Sequence, residues 1–147
     1  QKETFTELVS ETLGSTCDYA TVVNIHENLN ELIEEKKDLP EPPTLTAPEV
    51  RNLLARSGAS EEALAHFEEQ YKNTAGEKTE FVATNLTSTR SMEVKTPDVI
   101  VKVSPEKADL LETRVIDGRS YLLIQIDDAI EVNGVPVQAV HTPEQET

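Results

Sequence analysis

A chain of 147 residues is one domain's worth, long enough to bury about 68–70% of its unfolded surface. Hydrophobic residues make up 37% and aromatics 4%, with no Trp, which predicts an aliphatic core. The 28 acidic against 13 basic residues give a net charge of −15, a field that repels phosphate backbones and anionic membranes and argues against nucleic acid or a membrane as partner.

Gln1 is not an initiator Met and no apolar h-region follows Lys2, so a fragment or processed product lacking an upstream portion is expected, without a secretory signal. Phe5, Leu8, Val9 and Leu13 recur at helical spacing over residues 2–13, and Gly14 suits a left-handed stop. Asp18 is the expected N-cap of a second helix reaching about Lys37. Its apolar face is Val22, Val23, Ile25, Leu29, Leu32 and Ile33, and Glu27, Glu31, Glu34 and Glu35 form its solvated side. These two helices make an expected N-terminal segment, residues 1–38.

Residues 39–45 then read as a Pro-rich connector, because Leu39-Pro-Glu-Pro-Pro43 has to be extended. Pro40 and Pro43 have the spacing of an SH3-type ligand, but no flanking basic residue supports that use. An α+β body follows over residues 46–140. Thr46-Ala-Pro48-Glu49 is a capping-box start for a helix over 47–57, with Val50, Leu53 and Leu54 on its apolar face and Gly58 ending it. Ser60 opens a second, over 61–75, with Leu64, Phe67 and Tyr71 at core spacing and Gly76 closing it. The pair resembles a helix-turn-helix, yet Glu61, Glu62, Glu68 and Glu69 stand where a DNA reader needs Arg, Lys, Asn or Gln.

Residues 79–91 give one short strand, Phe81-Val-Ala83, and otherwise loop. The sheet is expected over 92–140. Met92-Glu-Val94, Val99–Val103, Leu110–Ile116, Tyr121–Ile126, Ile130–Val132 and Val135–Val137 are strand-like, and Ser104–Asp109 is a turn or one helical turn. Asp117-Gly118 pairs Val115 with Ser120, Thr113 with Leu122 and Leu111 with Ile124. Asn133-Gly134 pairs Val132 with Val135 and Ile130 with Val137. A slip of one residue would mix apolar and polar faces, so these registers are well specified. Ile100, Tyr121 and Leu123 put apolar groups on the second face of their strands, which predicts central or helix-covered positions. Pro136 marks an edge strand. Residues 141–147 are a polar tail. The predicted class is α+β: an N-terminal layer of about four helices packed on a mainly antiparallel sheet of four to six strands with two tight hairpins.

Thr96-Pro-Asp-Val99, Val101-Lys-Val103, Glu112–Gly118, Val132–Val135, Phe67–Tyr71 and Gln1–Phe5 together resemble the C-terminal region of an uncharacterised bacterial family, the DUF4317 proteins. The resemblance covers most of the chain. It implies a cytoplasmic bacterial protein whose longer N-terminal part lies outside this sequence, and it supplies no activity, cofactor or catalytic residue.

Chemistry is sparse. Cys17 is the single cysteine, so no intramolecular disulfide is possible and a reducing compartment is expected. No oxyanion motif accompanies Cys17 and His26, and a structural thiol and a satisfied, partly buried histidine are the plainer readings. His66 with Glu62 and Glu69 shares a helical face, but HExxH is absent. His141 lies in the tail. Asp127, Asp128 and Glu131 are the candidate metal ligands, as carboxylates suit hard cations, although the Asp-x-Asp-x-Asp-Gly loop spacing is missing. The five glycines form neither GxGxxG nor a P-loop, and there is no GxSxG elbow. With no convergent catalytic set and no cofactor motif, the sequence leans away from an enzyme. It reads as a non-catalytic interaction or structural module with a protein partner, either its own N-terminal region or another chain. The alternative is part of an enzyme or a metal- or small-molecule-binding domain completed by upstream residues.

Overall fold

Two compact units, residues 1–108 and 109–147, make up the computed structural model, which describes residues 1–127 and 129–138. The class is α+β. The first unit opens with α1 (Lys2–Leu13), which Gly14 ends at φ 52° and ψ −127°, a backbone region that only glycine enters freely. After a 3₁₀ turn at Gly14–Thr16, the Asp18 carboxylate accepts the Thr21 N–H at 2.8 Å and starts α2 (Tyr19–Glu35). The Pro-rich stretch leads into β1 (Thr44–Leu45), and Glu49 reaches back to the Thr46 N–H at 3.0 Å to cap α3 (Ala47–Arg56).

The helix expected over 61–75 is two pieces, α4 (Glu61–Leu64) and α5 (Phe67–Thr74). His66 breaks it at φ −116° and ψ 22°, with neither Gly nor Pro at the joint. Tertiary packing sets this break, since Leu64, Phe67 and Tyr71 are all buried around it. The chain then returns as β2 (Phe81–Val82), which pairs antiparallel with β1 and is followed by a 3₁₀ turn at Ala83–Asn85. Next comes the hairpin of β3 (Met92–Lys95) and β4 (Ile100–Val103), then a 3₁₀ turn at Pro105–Leu110.

The second unit holds two further hairpins, β5 (Leu111–Ile116) with β6 (Arg119–Ile124), and β7 (Ile130–Val132) with β8 (Val135–Val137). Both registers are those predicted, pair for pair. The turns have the left-handed backbone that type I′ requires, with φ 50° and 79° at Asp117-Gly118 and 50° and 85° at Asn133-Gly134.

The strands do not form the single sheet expected. Among the described residues there are four separate two-stranded antiparallel ladders. Nor does the core lie between helices and a sheet. Its buried cluster runs from Phe5 to Leu86, where the helices meet one another and the β1–β2 pair. The residues on the second face of the two-sided strands are exposed: Ile100 is 57% and Tyr121 42% exposed.

The core is mainly aliphatic, as composition predicts, but the few aromatic residues are concentrated in it. All three Phe and Tyr71 gather within it, with the Phe81 ring edge-on to Phe5 at 5.6 Å and to Tyr71 at 5.9 Å. A second tie is polar. The fully buried Ser57 hydroxyl donates to the Leu53 carbonyl at 2.6 Å and accepts from Asn28 Nδ2 at 3.0 Å, while its carbonyl accepts from Asn24 Nδ2 at 3.1 Å. This network locks the end of α3 to the middle of α2.

Phe81→Ala should therefore cost about 3–5 kcal/mol in urea denaturation, the range for deleting a buried aromatic. Ser57→Ala should cost about 1–2 kcal/mol, because the Asn28 amide loses its buried partner.

Candidate functional site

Three features could carry chemistry. The first is a cleft of about 390 Å³ that Lys2, His26, Thr87, Ser88, Ser91 and Glu93 line, together with Leu86, Met92 and Pro105; a cavity of about 540 Å³ beside α3 and α5 is larger, and it holds no histidine or cysteine. Local folding explains how these residues meet. Ile25 and Leu29 bury the inner face of α2, which leaves His26 half-buried beside them at its margin. Leu86, sealed into the core, pins the segment after the Ala83–Asn85 turn so that Thr87 Oγ1 lies 2.8 Å from His26 Nδ1. Lys2 comes from the first turn of α1, and Met92 and Glu93 come from the start of β3.

Burial pushes the His26 pKa below its usual value, and the Lys2 ammonium pushes it the same way. The expected satisfied histidine is present: Thr87 is its partner. Sequence reasoning placed His26 correctly on α2 but missed Lys2, Thr87, Ser88, Ser91 and Glu93. No local pattern links residues so far apart, and only the buried Leu86 hints that the loop returns to the helix.

The second feature is Cys17, which is exposed and free. Partial burial, and then the Asp18 charge, raise its pKa, so the thiol form prevails at neutral pH. His26 lies about 10 Å further along α2 than its first residue, at 1.5 Å per residue, and it is bonded to Thr87. The structure does not bring Cys17 and His26 together as a nucleophile pair.

The third feature is the acidic and histidine sets. His66 is exposed at the break before α5. No group of three His, Cys, Asp or Glu residues placed to hold a metal ion occurs among the described residues. Of the candidate ligands Asp127, Asp128 and Glu131, Asp128 lies outside the described residues. The Asp127 carboxylate accepts from Gln125 Nε2 at 2.6 Å, and Glu131 is exposed opposite Pro136 on β7. His141 also lies outside the described residues.

A different surface character belongs to the second unit. In the β5–β6 ladder the Gln125 N–H donates to the Leu110 carbonyl at 2.7 Å, which fixes the alternation of bonded and non-bonded pairs. Leu111, Thr113 and Val115 on β5, with Ser120, Leu122 and Ile124 on β6, therefore turn their backbone N–H and C=O groups outward. The same alternation around Asn133-Gly134 makes Pro136 an outward position of β8, where its missing N–H leaves a gap in that edge. Val115 is 69% exposed, and Ile116, Tyr121 and Ile124 are exposed too.

No helix among the described residues is long and apolar enough to cross a membrane. The class is that of a small α+β protein, with a polar cleft in its first unit and exposed apolar residues on its hairpins. By sequence it belongs to the DUF4317 family, a domain of unknown function, whose model matches residues 1–135. No curated protein and no solved structure matches it significantly.

Two outcomes test these assignments. Because the His26 pKa is held below its unfolded value, the folded state resists the proton that the unfolded chain accepts near pH 6.5. Stability should thus be fully present above pH 6.5 and fall as pH drops through the folded pKa, and His26→Gln should flatten that slope in denaturant titrations at pH 5–7. For Cys17, alkylation by iodoacetamide at pH 7 should proceed no faster than that of free cysteine. A rate tenfold higher would restore the nucleophile reading.

Proposed function

We propose that this domain is a non-catalytic interaction module of a larger cytoplasmic bacterial protein, and that its partner is a protein segment in extended conformation. The observation that supports this reading is the β5–β6 hairpin. Among the described residues, the six residues on each strand are paired only with each other, both outer edges present alternate N–H and C=O groups, and Val115, Ile116, Tyr121 and Ile124 are exposed around them. Proteins ordinarily blunt such edges with charge, Pro or a covering element. Pro136 does so for β8, whereas among the described residues β5 has no Pro and its charges, Glu112 and Arg114, sit on one face and pair with each other. An added strand would take its main-chain bonds from Leu111, Thr113 and Val115 and seat alternate side chains beside those of Thr113 and Val115.

The net charge of −15 disfavours a second copy of the same chain as the occupant, and it disfavours nucleic acid and anionic membranes as well. A neutral or basic polypeptide segment fits best.

Thr113→Pro tests the reading because it deletes one outward N–H without touching the β5–β6 bonds. Crosslinking from cells followed by mass spectrometry should recover a protein peptide joined to residues 111–124 in the wild type. That product should fall at least tenfold in Thr113→Pro and in Val115→Lys, while circular dichroism stays unchanged. Crosslinks that persist in both variants, or none to this hairpin in the wild type, would overturn the proposal.

A further inference from the structure

We propose that the cleft between the start of α1, the middle of α2 and the start of β3 binds a small oxyanion, the phosphate or carboxylate head of a small molecule. In a chain of net charge −15, this is a place where positive and donor groups converge. Lys2 lines it and has no ion-pair partner among the described residues. His26 lines it with Nδ1 hydrogen-bonded to Thr87 Oγ1, and Nε2 donates when the Thr87 hydroxyl donates to Nδ1 or when the ring is protonated. Ser88 Oγ accepts the N–H groups of Arg90 at 3.0 Å and Ser91 at 3.3 Å, so its own proton is left to donate. The Ser91 hydroxyl is a further donor in the lining.

Size and charge narrow the ligand. A volume of about 390 Å³ is larger than a bare phosphate needs and lies at the low end for small-molecule sites, so the head group carries a modest body. Met92 and Leu86 offer that body an apolar wall. Glu93, the one carboxylate in the lining, repels a second negative charge and restricts the ligand to a single anionic head with a neutral or cationic remainder.

Charge coupling then makes binding dependent on pH. The charged groups facing His26 are Lys2 from α1 and Glu93 from β3. Lys2 repels the imidazolium, and an anion beside it cancels that repulsion. Protonation and anion binding consequently favour each other, and affinity rises as pH falls through the His26 titration.

Long-range ¹H–¹⁵N spectra of the histidines in the full chain, at low ionic strength, read this directly. Inorganic phosphate and, separately, acetate are the probes, and the exposed His66 is the internal control. Saturable shifts of His26 with a raised pKa are expected from at least one probe, and the probe that acts identifies the head group. Lys2→Gln should weaken binding about fivefold or more, and Glu93→Gln should strengthen it. Both residues are surface positions, and thermal melts establish that each variant is folded. If His26 fails to saturate with either probe up to tens of millimolar, moves no more than His66, or responds equally in Lys2→Gln, the site does not exist.

Discussion

The first unit depends on the Phe81 ring. Residues 79–91 are polar and irregular, and Phe81, Ala83 and Leu86, all buried, anchor them to the helices. Phe81 meets Phe5 of α1 and Tyr71 of α5 at once, so three segments far apart in sequence share one contact. Around it the chain is stitched by polar groups. Gln1 Oε1 accepts from the Val82 N–H at 2.9 Å and its amide donates to the Glu80 carbonyl at 3.0 Å, while the Tyr71 hydroxyl donates to the Thr79 carbonyl. Buried aromatic area supplies the stabilisation, and these hydrogen bonds select one docking geometry. The cleft follows from this arrangement, since Thr87 can meet His26 only once Leu86 is seated.

What could be read from the sequence was local. Asp18, the Thr46–Glu49 box, Ser60 and the positive-φ glycines are chemical signals confined to a few neighbouring residues, and each fell where spacing put it. The hairpin registers were equally legible, because a two-residue turn with Gly at its second position leaves the strands one pairing that segregates their apolar sets. The long-range features behaved differently. Thr44–Leu45 gives no strand signal of its own and pairs only because Phe81–Val82 arrives beside it. The break at His66 has no Gly or Pro to announce it. Ser57 reads as an ordinary helix-ending serine, and nothing nearby points to Asn24 and Asn28.

The expectation of one sheet failed for a physical reason. Apolar residues on both faces of a strand imply burial on both faces only if the molecule has something left to cover them. Here the apolar faces of α1, α2, α3 and α5 are consumed by one another and by the β1–β2 pair. In β3–β4 the alternation still sorts correctly: Met92, Val94, Val101 and Val103 share one half-buried face, and Glu93, Lys95 and Lys102 share the other with Ile100. In β5–β6 no such sorting is complete, since Tyr121 and Ile116 share a face with Arg114 and Arg119 while Val115 and Ile124 stand on the other. The Arg114–Glu112 ion pair at 2.6 Å is exposed and worth little to the hairpin.

A two-stranded hairpin with apolar groups on both faces is marginal in water by its own means. In β5–β6 one type I′ turn and one specified register keep the conformation narrow. That combination, low intrinsic stability with little choice of pairing, is what strand addition exploits. A third strand satisfies outward backbone groups and covers exposed side chains, and little of its binding energy goes into ordering the hairpin. The polar cleft in the first unit has the opposite character, with charges and hydroxyls held by a well-packed core. The cleft beside His26 and the hairpin around Val115 are thus fixed by different means, the first by the packed core next to it and the second by turn chemistry.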